Sequence, residues 1–406
     1  MTSLDDDLFL ILTYQGKKCN ILRRFFIVFL LFVGYAVVIR YSGTAEYQSM
    51  KEETIMAQKM LKLGTAYHGN RMLHHVRKDM EDMVTHGMNL VVHMFTQTDM
   101  DRNKNILKEI VKISEDAGLE VWIDNWGIPG APGEKSYFLG DHPEAHRYYS
   151  AGTMVPYLVC WNSPEFLEFT KEWIDAVEYI GGKTIFWDEH ALGEKVVEGK
   201  KFFSCACPRC KKMFEEKYGR PMPEVADADT IAFGTDSIVN YLTAVTDYSH
   251  SKGITNVVCV MLGTAGMSLE VADRVCAIPH LDNIGSDPYW VGKKMQNPEM
   301  SVYEYVYDGS QRTLDVCERF EKDHNIWIQT FNNPRGAEED IVEATEAAYD
   351  AGARTIITWG YYGSDGVDYT VENPALVWAK TNEAFARIRN MERDRILEEN
   401  RKKYRK

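Results

Sequence analysis

The chain has 406 residues, of which 45% are hydrophobic and 26% charged, and its formal net charge is −14. This length and apolar content are enough for a large hydrophobic core, which excludes a disordered or low-complexity chain. The acidic balance argues against a nucleic-acid partner, because binding phosphates requires a basic face.

The first apolar feature is an uncharged run from Phe25 to Ile39, which follows several lysines and arginines. With its flanks, the run approaches the roughly 20 residues of a membrane-spanning helix. Basic residues before such a run favour a cytoplasmic amino terminus and an exported remainder. We therefore predict a basic and polar segment over 1–24, a transmembrane signal anchor over 25–40 and a linker over 41–59.

A second interpretation of this region stays open. The natural chain would then begin at Met50 or Met56, the apolar run would be an upstream extension, and the protein would be cytoplasmic. The sequence does not separate this interpretation from a membrane-anchored protein with an exported domain.

From Met60 onward, short β-type runs alternate with amphipathic stretches. The predicted strands are Leu61–Ala66, Asn89–Phe95, Glu120–Asn125, Lys183–Asp188, Asn256–Leu262, Asn283–Asp287, Asn325–Phe331 and Arg354–Trp359. The predicted helices are Leu73–Thr85, Arg102–Ala117, Ser163–Tyr179, Thr235–Ser251, Ser268–Cys276, Arg312–Lys322, Glu338–Asp350 and Pro374–Arg389.

Strict alternation of strands and helices implies a parallel sheet, and eight such units close naturally into a (β/α)8 barrel, also called a TIM barrel. We predict one barrel domain over 60–390 and a charged tail over 391–406. An open doubly wound sheet is the rival fold. It would usually carry a glycine-rich phosphate loop after the first strand, and the stretch Thr65–His68 is not such a loop.

Active sites of such barrels form at the carboxyl ends of the strands. Carboxylates, histidines and aromatic rings follow the predicted strands, and a glycosidase needs an acid, a second carboxylate and ring platforms for sugars. Each such residue alone is more often a helix cap or a core ring, so the prediction rests on their convergence. The candidate substrate-binding residues are His68, His93, Trp126, Trp290, Trp359 and Tyr361.

The pair Asp188-Glu189 is the strongest catalytic candidate. It directly follows the apolar run Thr184–Trp187, so the charges emerge where the strand leaves the core. Successive side chains on a strand point to opposite faces. We therefore expect one of the two carboxylates to face the cleft and the other to orient it or cap the next segment.

Four cysteines form the second signal. Cys205, Cys207 and Cys210 lie within six residues, too close to pair as unstrained disulfides, and tetrahedral zinc needs four ligands. Cys160 is the candidate for the fourth ligand. We predict a structural Zn²⁺ site, with a cluster of free or partly oxidised thiols as the alternative.

These stretches together resemble glycoside hydrolase family 42, the β-galactosidase type. The resemblance runs over roughly 141–223, from Cys160-Trp-Asn-Ser-Pro through Asp188-Glu189 to the CxCxxC motif, and more loosely over 336–359. It implies that Glu189 is the general acid/base, that Asp188 replaces a neighbouring Asn, and that the four cysteines bind zinc.

The chain departs from that family at the seventh strand. The family nucleophile is a Glu ending this strand, whereas here the run from Ile326 to Pro334 contains no carboxylate. The family's later domains are also missing. Asp287, after the sixth strand, is the best replacement for the nucleophile, and Asp124 on the third strand is a further candidate, as are Asp365 and Asp368 in the last loop.

Three functional hypotheses follow. The first is a glycoside hydrolase with Glu189 as general acid/base and Asp287 as its partner, acting on a galactose- or glucose-type glycoside. The second is a non-catalytic carbohydrate-binding barrel, suggested by the missing nucleophile. The third is a metal-assisted lyase or hydrolase that uses His68, His93 and Asp124. A carbohydrate is the expected ligand, and a homo-oligomer is left open.

Overall fold

The computed structural model describes residues 61–404 apart from 69, 130–132, 134, 192 and 263–266, together with 13–14, 17–18, 28–32 and 35–39 near the amino terminus. In the larger part, eight parallel strands close into a barrel. They are β1 Lys62–Tyr67, β2 Leu90–Met94, β3 Glu120–Asp124, β4 Thr184–Trp187, β5 Thr255–Cys259, β6 Asn283–Ser286, β7 Asp323–Gln329 and β8 Thr355–Trp359.

The barrel closes between its last and first strands. Thr355 of β8 pairs with Lys62 of β1, and each strand in between pairs in parallel with the next one along the chain. The predicted (β/α)8 fold is therefore confirmed, and each predicted strand overlaps an observed one.

Helices surround the barrel. The longer ones are Leu73–Thr85, Lys104–Asp116, Pro164–Ile180, Pro208–Tyr218, Ala228–Ser251, Leu269–Cys276, Val302–Phe320, Glu339–Asp350 and Pro374–Tyr404. Short helices at Phe138–Asp141 and Val291–Gln296, and antiparallel hairpins at His146–Tyr148 with Met154–Val159 and at Glu194–Val197 with Lys200–Phe203, were not predicted.

The alternation of side chains along each strand divides the core into two layers. In β3, Trp122 packs with the side chains that fill the barrel, whereas Val121 and Ile123 pack against the helices. In β4, Phe186 faces the barrel interior and Trp187 faces the helices. Because this period of two continues past the strand ends, it decides which residues reach the barrel mouth.

The amino-terminal residues form a separate unit, Met1–Lys59. Within the predicted anchor, Val28–Phe32 pairs with Tyr35–Ile39 as antiparallel strands, so a spanning helix is wrong for these residues. The rest of segments 1–24, 25–40 and 41–59 lies mostly outside the described residues. Among the helices that the structure describes, none combines the length and apolarity needed to cross a bilayer.

Candidate active site at the barrel mouth

Three aspartates reach the barrel mouth from separate strands. Asp124 ends β3 on the same face as Trp122, Asp188 follows β4 two residues after Phe186, and Asp287 follows β6. Asp124 and Asp188 are buried, and Asp287 is half-buried. The alternation of the strands thus brings together carboxylates that are far apart in the sequence.

Glu189 joins this group through an unusual backbone conformation. Its φ is 41°, in the left-handed region that non-glycine residues seldom adopt. The backbone of the preceding residue is fixed, because Asp188 N donates to Asn125 Oδ1 at 2.9 Å. As a result both Asp188 and Glu189 line the same cavity, and the expectation that only one of them faces the cleft is wrong.

Burial and mutual repulsion perturb these carboxyl groups. Burial raises the pKa of Asp188, and the charges of three neighbouring carboxylates raise it further. Burial, and then the charge and hydrogen bonding of Glu189, raise the pKa of Asp287. Burial also raises the pKa of Asp124, whose Oδ1 accepts from Trp126 N at 2.8 Å while its Oδ2 has no hydrogen-bond partner. The three aspartates therefore hold protons more tightly than isolated carboxyl groups do.

A cavity of about 590 Å³ opens above the cluster. Its described lining combines carboxylates with aromatic rings and loop residues. They are Trp126, Gly133, Asp188, Glu189, Tyr289, Phe331, Asn332, Trp359, Gly366, Val367, Asp368 and Tyr369. The volume lies within the roughly 300–1,000 Å³ range of small-molecule sites. Trp126 and Trp359, which were predicted to bind substrate, both line this cavity.

His68 lies next to this cavity without a hydrogen-bond partner. Both of its ring nitrogens are buried and unpaired, and its ring lies edge-on to Trp126 and Trp359 at centroid distances of 5.4 and 5.1 Å. Burial lowers its pKa to about 4, so the ring is neutral at physiological pH. A neutral imidazole offers one donor and one acceptor, which suits a hydroxyl group.

Three predicted substrate contacts belong instead to the layer between barrel and helices. His93 Nε2 lies 2.9 Å from Ser114 Oγ, because Met94, not His93, shares the inward face of the sheet with Asp124. His68 and His93 line a smaller cavity together, but Asp124 does not line it, and among the described residues these three side chains form no group with metal-ligand spacing.

The other two corrections concern aromatic side chains. Trp290 is 1% exposed and packs in the outer layer, whereas its neighbour Tyr289 lines the cavity. Tyr361 donates its hydroxyl to Asp82 Oδ2 at 3.1 Å and packs against Trp378. The sequence analysis missed Phe331 and Tyr369 as lining residues. It placed Phe331 at the end of the seventh predicted strand, whereas the observed strand ends at Gln329, and Tyr369 lies in the loop after β8, where no periodicity indicates its direction.

The seventh strand contributes Gln329 where the resemblance would place a nucleophile. Gln329 Oε1 accepts from Val291 N at 3.1 Å, and its Nε2 donates to Phe331 O at 3.1 Å. The amide oxygen and the amide nitrogen of this side chain are therefore both hydrogen-bonded to the backbone of neighbouring loops.

The four predicted zinc ligands come together beside the β4 loop. The sulfur atoms of Cys160, Cys205, Cys207 and Cys210 all lie within 4.8 Å of one another, and the Cys160–Cys210 and Cys160–Cys207 separations are 3.3 and 3.7 Å. Tetrahedral zinc with Zn–S bonds of about 2.3 Å needs sulfurs about 3.8 Å apart, so the set fits this ion. It is the only such group of potential ligands among the described residues.

Comparisons with known proteins bear on the fold. No family model and no curated protein matches the chain. The endo-1,4-β-mannanase of Rhizomucor miehei is 11% identical, with 81% of this chain and 95% of that chain covered and a TM-score of 0.51. A D-allulose 3-epimerase of Methylomonas sp. is 13% identical, with 81% and 98% covered and a TM-score of 0.45.

At these identities the likeness concerns the barrel fold alone. The resemblance to glycoside hydrolase family 42 stays a prediction, because no family model matches.

Proposed function

We propose that this barrel hydrolyses O-glycosidic bonds. The observation that carries the proposal is the carboxylate cluster, with Asp188 and Glu189 exposed to an aromatic-lined cavity and Asp287 in contact with Glu189. Glycoside hydrolysis needs one carboxyl that holds a proton and a second, ionised carboxylate within one site. Aromatic rings such as Trp126 and Trp359 provide faces on which sugar rings pack.

The hydrogen-bonding contact between Asp287 and Glu189 assigns them a joint role. Burial, and then the charge and hydrogen bonding of Glu189, raise the pKa of Asp287, so Asp287 retains a proton next to Glu189. We assign to Glu189 the role of donating a proton to the leaving oxygen. Asp287 is the partner that passes a proton to Glu189. Asp188, which lines the same cavity, is then the second carboxyl group, and positive charge that develops on the bound sugar favours its ionised form.

The experiment is hydrolysis of a panel of α- and β-nitrophenyl glycosides by the wild type and three variants. General acid/base catalysis contributes roughly 10²–10⁴-fold, so we expect losses of this size in kcat for Glu189→Gln and Asp287→Asn. Glu194→Gln is the matched control, because Glu194 lies five residues further along, outside the cavity lining, and forms an ion pair with Lys201 at 3.7 Å. Equal rates for Glu189→Gln and Glu194→Gln would reject the assignment.

A non-catalytic sugar-binding barrel is the second candidate, and Gln329 is the observation that favours it. With both its polar ends bonded to backbone, this residue leaves β7 without a carboxylate. This candidate predicts saturable sugar binding by calorimetry without turnover of any glycoside in the panel. Release of reducing sugar that disappears in Glu189→Gln would exclude it.

We further propose that Cys160, Cys205, Cys207 and Cys210 hold one structural zinc ion. The sulfur separations fit tetrahedral coordination, and Asn162 Nδ2 lies 3.3 Å from Cys210 Sγ as an outer hydrogen-bond donor. Structural zinc contributes apparent binding free energies of about 10–16 kcal/mol in small peptides, so its loss should destabilise this loop strongly. Elemental analysis of the purified chain tests the proposal, and fewer than about 0.2 zinc per chain would contradict it.

A further inference from the structure

Arg147 is a buried guanidinium whose charge has no carboxylate partner. It is 3% exposed. Its Nε donates to Val159 O at 2.9 Å and its Nη1 to Ala191 O at 3.3 Å, while Nη2 has no partner. Its guanidinium carbon lies 4.7 Å from the centre of the Trp161 ring. Within the described residues no ion pair neutralises this cation.

The negative charge that acts most strongly on Arg147 comes from the cysteine cluster. Burial lowers the pKa of the Arg147 guanidinium, and the thiols of Cys205 and Cys160 counteract that effect most strongly. Four neutral thiols would leave the cation uncompensated, which is costly in a protein interior. Four thiolates with one Zn²⁺ carry two net negative charges, so a metal–thiolate centre supplies the compensation that the site otherwise lacks.

The backbone around Arg147 is attached to both cysteine-bearing segments. Cys160 N donates to Ala145 O at 2.8 Å, on one side of the strand that carries Arg147. Ala206 N donates to Tyr148 O at 2.8 Å, on the other side. Backbone hydrogen bonds therefore join the strand that carries Arg147 to both segments that carry the cysteines.

Arg147 also contacts the segment that carries the acidic pair. Its hydrogen bond to Ala191 O holds the chain two residues beyond Glu189. The Trp161 ring beneath the guanidinium stacks on His190, with ring centroids 5.0 Å apart and planes at 28°. A single cation thus lies between the cysteine cluster and the residues that follow Glu189.

We propose that Arg147 is the buried countercharge of a metal–thiolate centre formed by Cys160, Cys205, Cys207 and Cys210, and that it ties this centre to segment 188–191. The inference rests on the zinc proposed above. It adds a role for a residue that neither binds the metal nor lines the cavity: Arg147 is a positioning residue for Glu189.

The first experiment measures zinc affinity by competition with the chelator 4-(2-pyridylazo)resorcinol. Loss of a residue that supports metal ligands typically weakens binding by roughly 10–100-fold, which is the effect we expect for Arg147→Met. Arg147→Lys retains the charge and should stay within about threefold of the wild type.

Arg220→Met is the matched control. Arg220 also stacks on a ring beside the cysteines, 5.2 Å from the centre of Phe214, but it pairs with Asp227 and Asp229 at 2.7 and 2.6 Å. Its removal should leave zinc affinity unchanged. If the wild type holds zinc and Arg147→Met holds it equally tightly, the countercharge role is overturned while the zinc proposal stands. A wild type without zinc overturns both.

The second experiment uses the wild-type chain, so it tests the link between the metal centre and segment 188–191 even if Arg147→Met does not fold. Amide hydrogen exchange is compared before and after removal of the metal with the same chelator. We expect exchange in segment 188–194 to become at least about tenfold faster, because the cation loses its countercharge and releases Ala191. Faster exchange confined to 200–218 would contradict the proposed link between the metal centre and the acidic pair.

Discussion

Asp188→Asn should stabilise the protein while reducing its activity. Asp188 is 5% exposed, and no described cation forms an ion pair with it. Burial and three neighbouring carboxylates raise its pKa, so the folded state binds the proton more tightly than the unfolded state does. Stability contributed by this proton is complete below about pH 4, where unfolded Asp is also protonated, and is lost as the pH rises through the folded pKa.

The size of the gain follows from the same linkage. Each pKa unit between folded and unfolded states corresponds to about 1.4 kcal/mol. Substitutions that relieve a strained active site commonly gain about 0.5–2 kcal/mol and cost function. Asparagine keeps the shape of the side chain and cannot ionise, so we expect a gain of this size at pH 7 that disappears toward pH 4.

The assay is urea unfolding of the wild type, Asp188→Asn and the surface control Glu194→Gln at pH 4, 5.5 and 7, with glycoside hydrolysis measured on the same preparations. Glu194→Gln should change neither quantity. A loss of stability in Asp188→Asn at pH 7, or a gain that is the same at pH 4 and 7, would refute the electrostatic explanation.

Three further predictions concern the metal, His68 and substrate charge. Cys210→Ser should lose zinc and unfold at a lower temperature. Cys317→Ser is the control and should keep the metal, because Cys317 is buried outside the cluster, with its Sγ 3.6 Å from Ile284 O. Zinc retained by Cys210→Ser would contradict the site. His68→Ala should raise KM about 3–10-fold through one lost hydrogen bond, equally at pH 6 and 9 because the pKa of His68 is about 4, and a pH-dependent effect would argue against a neutral ring. The described cavity lining contains carboxylates and no lysine, arginine or histidine. Because like charges repel, nitrophenyl glucuronides should react at least about tenfold more slowly than nitrophenyl glucosides. Comparable rates would show that a cation reaches the sugar.

The sequence was sufficient for the fold because its signals are local and repeated. Apolar runs such as Thr184–Trp187, each followed by an amphipathic stretch, recur around the barrel and specify strands and helices. The bounds of the observed strands differ from the predicted ones by a few residues at most, as for β7, which begins at Asp323 and ends at Gln329. The hairpin Glu194–Val197 with Lys200–Phe203 was missed because short exposed strands carry no such periodicity.

The site was less predictable because side chains alternate in direction along a strand, so a difference of one residue decides which side chain faces the cavity. His93 and Met94 are the last two residues of β2, and only Met94 faces inward. Tyr289 and Trp290 both follow β6, and only Tyr289 lines the cavity. A shift of one residue in the strand end exchanges the two faces, and sequence patterns locate strand ends less precisely than that. The left-handed backbone at Glu189 is set by tertiary contacts, so no local pattern indicated that both acidic residues face the cavity.

Among the described residues no cation pairs with the acidic cluster, which strengthens its assignment to function. Among the described residues, Asp124, Asp188 and Asp287 form no ion pair, and Asp124 Oδ2 is buried without any partner. Elsewhere in the chain a buried carboxylate is compensated: Glu392, 3% exposed, pairs with Arg354 and Arg395 and accepts from the Tyr349 hydroxyl. The same fold can therefore neutralise a buried acid, but it does not do so at the barrel mouth. Positive charge that develops on a bound sugar during bond cleavage would relieve the repulsion among these carboxylates, and an uncharged ligand that stays unreacted would not.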